Sequence, residues 1–183
     1  DGTDPSSEMG PLITAEAKAR VESYVAGAEA EGATVVVDGR EAKFEGNGFF
    51  TGVSLLDHVK TDSKVYLEEI FGPVLAIVRV NSYEEGLQLI NDHQFGNGTA
   101  IFTRDGGTAR SFEFDVEAGM VGINVPIPVP VGAFSFGGWK DSLFGDTHMY
   151  GAEAFQFYTR RKVVTTRWPE PSESQISLGF PTH

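Results

Sequence analysis

The feature that most constrains this chain is a nearly continuous apolar run, Val74-Leu75-Ala76-Ile77-Val78-Arg79-Val80, followed at once by a helix-start signal, Ser82-x-x-Glu85. A short β-branched run of this kind suits a strand buried on both faces, the situation of parallel sheets covered by helices. The Ser82 hydroxyl and Glu85 carboxylate form a capping box, in which each satisfies a backbone N–H at the start of a helix. The helix that follows is expected to bury Tyr83, Leu87 and Ile90.

The same alternation extends in both directions. Thr14 is placed to cap a helix whose apolar residues Ala17, Val21, Tyr24, Val25 and Ala28 follow the helical period, with Gly32 ending it. Thr34 to Val37 reads as a strand closed by Asp38-Gly39, and Phe49, Phe50 and Val53 enter a second extended segment. Gly98 to Thr103 is the next strand, then a helix capped by Thr108 with Ala109, Phe112 and Val116 on one face. Gly119 closes that helix before a strand from Met120 to Val125. Strands and helices alternating with short connections predict an α/β fold, a mainly parallel sheet flanked by helices. Residues 152–158 read as a short helix, 161–168 as a final strand and 169–183 as a mobile tail.

Composition removes several function classes. Lys and Arg number 14 against 26 Asp and Glu, a net charge of −12. That balance disfavours nucleic acid and anionic membranes as partners, since both need a positive field. There is no Cys, hence no disulfide, thiolate metal site or cysteine nucleophile within these residues. No apolar run approaches the length of a membrane span and the N-terminus has no secretory pattern, so the chain reads as cytoplasmic, with the mitochondrial matrix possible for a eukaryotic source. It opens on Asp1-Gly2-Thr3 with no initiator Met, which predicts a longer parent.

Four histidines, at 58, 93, 148 and 183, lack metal-ligand spacing and read most simply as surface or loop residues. The Gly-rich stretch Gly46 to Gly52 superficially looks like a dinucleotide loop, but it leads into aromatic extended sequence rather than a helix and reads as a turn. Two segments stand out. In Glu68-Glu69-Ile70-Phe71-Gly72-Pro73, Glu69 and Phe71 fall on one side of an extended backbone, where a carboxylate and a ring can face one ligand; the plainer reading is a solvated acidic turn with Phe71 as a core plug. Residues 126–138 hold three prolines and three glycines among Ile127, Val129, Val131, Phe134 and Phe136, an apolar loop without periodicity. Long loops of that character are commonly functional.

Four motifs in order, Glu-Glu-Ile-Phe-Gly-Pro-Val at 68–74, Gly-Asn-Gly-Thr-Ala-Ile-Phe-Thr-Arg-Asp at 96–105, Gly-Met-Val-Gly-Ile-Asn-Val at 119–125 and Phe-Gly-Gly-Trp-Lys-Asp-Ser at 136–142, resemble the aldehyde dehydrogenase superfamily. The resemblance runs from about Met9 to Trp168. Asn-Val-Pro-Ile-Pro-Val-Pro at 124–130, Ser-Phe-Gly-Gly-Trp-Lys at 135–140 and Ser-Leu-Phe-Gly-Asp at 142–146 look like the CoA-acylating methylmalonate-semialdehyde dehydrogenase branch.

The resemblance implies an NAD-dependent oxidation. A Cys thiolate attacks the aldehyde, hydride passes to NAD, and the thioester is transferred to CoA with decarboxylation of a malonate-type semialdehyde. It assigns Glu69 to the nicotinamide-ribose hydroxyls, Phe71 to packing near the nicotinamide, Asn124 to support of the catalytic loop, and Pro126, Ile127, Phe134 and Phe136 to the aldehyde pocket. The family's nucleophilic Cys and general-base Glu match nothing here and are expected upstream. The implied organisation is the C-terminal part of the catalytic domain at 1–158, an oligomerisation strand at 159–168 and the tail, belonging to a homo-oligomer but inactive alone. A truncated, non-enzymatic homologue that binds a dehydrogenase subunit is the alternative.

Overall fold

The computed structural model describes residues 2–170, in which helices and short strands alternate as expected of an α/β chain. Helix α1 (Ala15–Ala28) begins where the Thr14 hydroxyl accepts the Ala17 N–H at 3.1 Å. Its buried residues Val21, Val25 and Ala28 recur at helical spacing. Val25 and Ala28 join Leu56, Val59 and Val65 in the main core, where Leu56 is fully buried. Leu56 belongs to β2 (Ser54–Asp57), which pairs antiparallel with β1 (Thr34–Val37) and parallel with β3 (Val74–Ala76). The short helix α2 (Lys64–Leu67) lies in the β2-to-β3 connection and carries buried Val65.

The apolar run from Val74 forms only the three residues of β3, and it is covered on one face rather than two. Val74, Ala76 and Val78 pack on the α1 core, while Leu75 is 60% exposed. The alternation of side chains across a strand sends every second residue to the uncovered face.

Helix α3 (Tyr83–Asp92) starts as read: the Ser82 hydroxyl accepts the Glu85 N–H at 3.1 Å. The return arm of the box differs, because the Glu85 carboxylate accepts the Asn81 N–H at 2.7 Å, one residue before the expected partner. Tyr83, Leu87 and Ile90 are half-buried, not buried. In α4 (Gly106–Asp115) the cap is Asp105, whose carboxylate accepts the Thr108 N–H at 2.6 Å, so Thr108 is the donor and not the cap. A carboxylate there also faces the positive end of the helix dipole. The helix ends at Asp115, before Gly119.

Among the described residues the strands divide into three small sheets. Beside β1-β2-β3, β5 (Gly98–Ile101) pairs parallel with β6 (Met120–Ile123) across α4, and β4 (Phe95–Gly96) pairs antiparallel with β7 (Trp139–Lys140). After a 3-10 turn at Gly151–Glu153 comes α5 (Ala154–Phe157). Residues 159–168, read from sequence as a strand, have no sheet pairing, and Val163 and Trp168 are more than nine-tenths exposed. A strand is defined by its neighbour's donors and acceptors, and among the described residues none lies alongside. The tail reading at 169–183 falls, beyond residue 170, outside the described residues. Among them no helix is long and apolar enough to cross a membrane.

Candidate functional site

Asn124 follows β6 and adopts φ 57, a left-handed conformation that Asn tolerates better than most residues. Its N–H donates to the Ile101 carbonyl at 2.8 Å. Its side chain then closes on Thr103: Oδ1 accepts the Thr103 N–H at 2.9 Å and Nδ2 donates to the Thr103 carbonyl at 3.0 Å. The amide thus imitates a strand neighbour just where the backbone turns away, and so fixes the point from which the apolar loop departs.

That loop folds back over the β5–β6 pair. A Cβ on Gly122 would stand 3.3 Å from Pro128 Cβ and 2.5 Å from the Val125 carbonyl oxygen, so glycine is what lets the loop lie so close. Pro126 is exposed, as are Ile127 and Phe134, while Phe136 is the more sheltered ring, edge-to-face with Tyr150 at 6.0 Å. Exposed apolar side chains gathered on one loop are a surface suited to an apolar ligand or a covering segment.

Glu69 lines a cavity of about 380 Å³ together with Tyr66, Glu68, His93, Phe95 and Asn97. Its carbonyl accepts from Arg20 Nη1 at 3.2 Å, whereas its exposed carboxylate has no hydrogen bond or ion pair among the described residues. Such a carboxylate is free to accept from vicinal hydroxyls of a ligand. The neighbouring Glu68 is engaged instead, accepting from the Tyr24 hydroxyl, a bond that pushes the Tyr24 pKa up.

Phe71 does not share the Glu69 cavity. Its φ of 51 breaks the extended alternation on which the same-side reading relied. The ring, 76% exposed, lines a separate and mostly apolar cavity of about 500 Å³ with Met9, Leu12, Ile13 and Ala17.

His93 lines the Glu69 cavity, and Lys140, outside its wall, holds the His93 backbone from behind. His93 is half-buried rather than a free surface group: Nδ1 accepts the Phe95 N–H at 3.1 Å, so Nε2, 3.0 Å from the Tyr66 carbonyl, carries the proton. Lys140 gathers the end of α3, donating to the Asn91 and His93 carbonyls at 2.6 and 3.2 Å, a cation at a helix C-terminus. Neither has a sequence signature, because each depends on carbonyls brought from another element.

The arrangement can bind and orient, but it holds no thiol with which to attack a carbonyl carbon. Residues 1–164 match the aldehyde dehydrogenase family model. The chain belongs to the aldehyde dehydrogenase family. It is 56% identical over 99% of its length to a malonate-semialdehyde dehydrogenase of Pseudomonas aeruginosa, and 46% identical over 92% to malonate-semialdehyde dehydrogenase 2 of Oceanobacillus iheyensis. It spans 37% and 35% of those relatives' lengths. Among solved structures, methylmalonate-semialdehyde dehydrogenase from Oceanimonas doudoroffii superposes at a TM-score of 0.84 with 53% identity, covering 93% of this chain and 35% of that one. The Mycobacterium tuberculosis aldehyde dehydrogenase complexed with NAD+ gives 0.78 at 32% identity, over 87% of this chain and 32% of that one.

Proposed function

We propose that this chain serves as part of an NAD-dependent, CoA-acylating dehydrogenase of malonate or methylmalonate semialdehyde, working in a homo-oligomer. The overall reaction takes aldehyde, NAD and CoA to acyl-CoA, carbon dioxide and NADH. The observation that carries the reading is the free Glu69 carboxylate, which lines a cavity beside Asp141 and Asn97 while Glu68, His93 and Ser142 of the same wall are engaged in hydrogen bonds. It fits the paired hydroxyls of a ribose.

NAD supplies the hydride acceptor when bound. Glu69 orients its nicotinamide ribose, and Phe71, with its ring free on the surface, packs near the nicotinamide once its cavity is covered. Asn124 holds the departure of the loop, and Pro126, Ile127, Phe134 and Phe136 form a dry wall for a small aldehyde. With no Cys in its sequence, the chain contributes binding surface and not the nucleophile.

The test is a chimera in which residues 1–183 replace the matching 37% of the Pseudomonas aeruginosa relative. NADH formation with malonate semialdehyde and CoA is expected from the chimera and none from the 183-residue chain alone. A well-folded chimera that forms no NADH, or a chain that forms it unaided, would overturn the reading.

A further inference from the structure

Among the described residues, one hydrogen bond ties the apolar loop 126–138 to the rest of the chain: Ser135 Oγ to His148 Nδ1. Its other hydrogen bonds, Val129 N–H to Ile127 O at 2.9 Å and Phe134 N–H to Val131 O at 3.0 Å, stay within the loop. His148 is itself held. Its backbone N–H donates to Glu153 Oε2 at 3.0 Å, and the same oxygen lies 3.6 Å from Nδ1.

The packing around this bond is close. The His148 ring, with 12% of its side chain exposed, lies against Gly137, where an added Cβ would stand 2.7 Å from Cδ2. Gly151, at φ 72, passes so near that a Cβ would be 2.8 Å from the Ser135 nitrogen. Residues 134–137 and 148–151 therefore close on each other as a clasp, with Phe136 and Tyr150 edge-to-face beside it at 84°. Phe136 is 36% exposed, against 64% for Phe134 and 71% for Ile127. The clasp thus fixes one ring of the loop and leaves the others free.

Serine, histidine and glutamate in contact suggest a hydrolytic triad, and the geometry rules against it. A relay needs the acid and the serine on opposite ring nitrogens, whereas Ser135 and Glu153 both face Nδ1. The arrangement suits holding and not proton transfer. We propose that His148 is a positioning residue of the aldehyde-binding wall, fixing Ser135 so that Phe136 keeps one orientation toward the substrate. This rests on the reading of loop 126–138 as that wall, and it makes aldehyde affinity, not the rate of the chemical step, the property that His148 governs.

Two measurements test it. In the 183-residue chain, the ring-nitrogen NMR signals of His148 are expected to move on Ser135→Ala; unmoved signals would overturn the clasp whether or not the proposed function holds. In the chimera described above, His148→Leu and Ser135→Ala should each raise KM for malonate semialdehyde by about tenfold, the scale of a small misplacement of a binding group. Both kcat and KM for NAD should stay within about twofold, the pattern of lost substrate binding without lost transition-state chemistry. His148→Asn, which keeps a polar atom near the Nδ1 position, should restore KM, and the double variant should be no worse than either single one. A fall in kcat at unchanged aldehyde KM, or additive single effects, would overturn the assignment.

Discussion

Asn124 and Thr103 exchange two hydrogen bonds, the amide of one closing on both backbone groups of the other. The pair extends the β5–β6 ladder by one rung built from a side chain. Asn124→Ala removes both bonds and leaves a Cβ at φ 57 without the compensation that Asn provides. At about 1 kcal/mol per bond and a comparable backbone term, a loss of roughly 3 kcal/mol is expected. Asn124→Gly relieves the backbone term and should fall between the two. Denaturant unfolding of the three proteins checks the order; equal midpoints would show that the amide bonds contribute nothing.

In the chimera, Glu69→Gln is expected to slow hydride transfer more than it weakens overall NAD binding. A single charge-assisted hydrogen bond contributes about 1.5–3 kcal/mol, and the proposed role spends it on the orientation of one ribose. Stopped-flow traces of NADH appearance read the effect directly. Traces indistinguishable from the parent would remove Glu69 from the cofactor site.

Asp57 and Arg79 give the clearest acid dependence. The Arg79 guanidinium donates to both Asp57 oxygens, at 2.9 and 2.6 Å, and with the His58 N–H it lowers the carboxyl from 3.8 to about 2. A depressed carboxylate stabilises the fold in full above its unfolded pKa, and that contribution fades as pH falls from 3.8 toward 2. Arg79→Ala should return the Asp57 titration toward 3.8 and flatten stability across that window. Carbon-detected NMR titration of the carboxyl checks both; an unmoved midpoint would mean that the guanidinium is not the cause.

Much of the local structure was legible because its causes are local. Thr14 and Ser82 cap helices through hydroxyls that reach three residues along, and the α1 core face follows from helical spacing alone. What escaped depends on partners distant in sequence. The apolar Val74 run suggests burial on both faces, but a strand's second face is set by what covers it, and Leu75 is exposed. Extended alternation puts Glu69 and Phe71 on one side, but Phe71 itself turns left-handed, which no local signal announces. His148 sits in a loop, as its sequence context suggests, but nothing near it in sequence announces its partner Ser135. The 159–168 segment has strand composition, but pairing is a property of two segments.

That segment carries a further expectation. Val163, Val164 and Trp168 are exposed at 92%, 73% and 91% on backbone that has no ladder partner among the described residues, and unpaired extended apolar segments recruit other chains. Self-association that grows with protein concentration and with added salt is expected, since salt screens the repulsion of a −12 chain beyond about 8 Å. Sedimentation velocity decides it. A monomer at high concentration and high salt would refute the idea, and unchanged association after deletion of 161–168 would move the contact elsewhere.

The division of the strands into three small sheets gives the molecule two tempos. A lone pair of strands is marginal in water, and both β4–β7 and β5–β6 are pairs, whereas β1-β2-β3 rests on the Leu56 core beneath α1. Amide hydrogens of β2 are therefore expected to outlast those of β5 and β6 in deuterium exchange, with the amides of β4 released earliest. The half of the chain that carries Asn124 and the apolar loop is then the half expected to breathe, so the loop's exposed rings sit on the less rigid support.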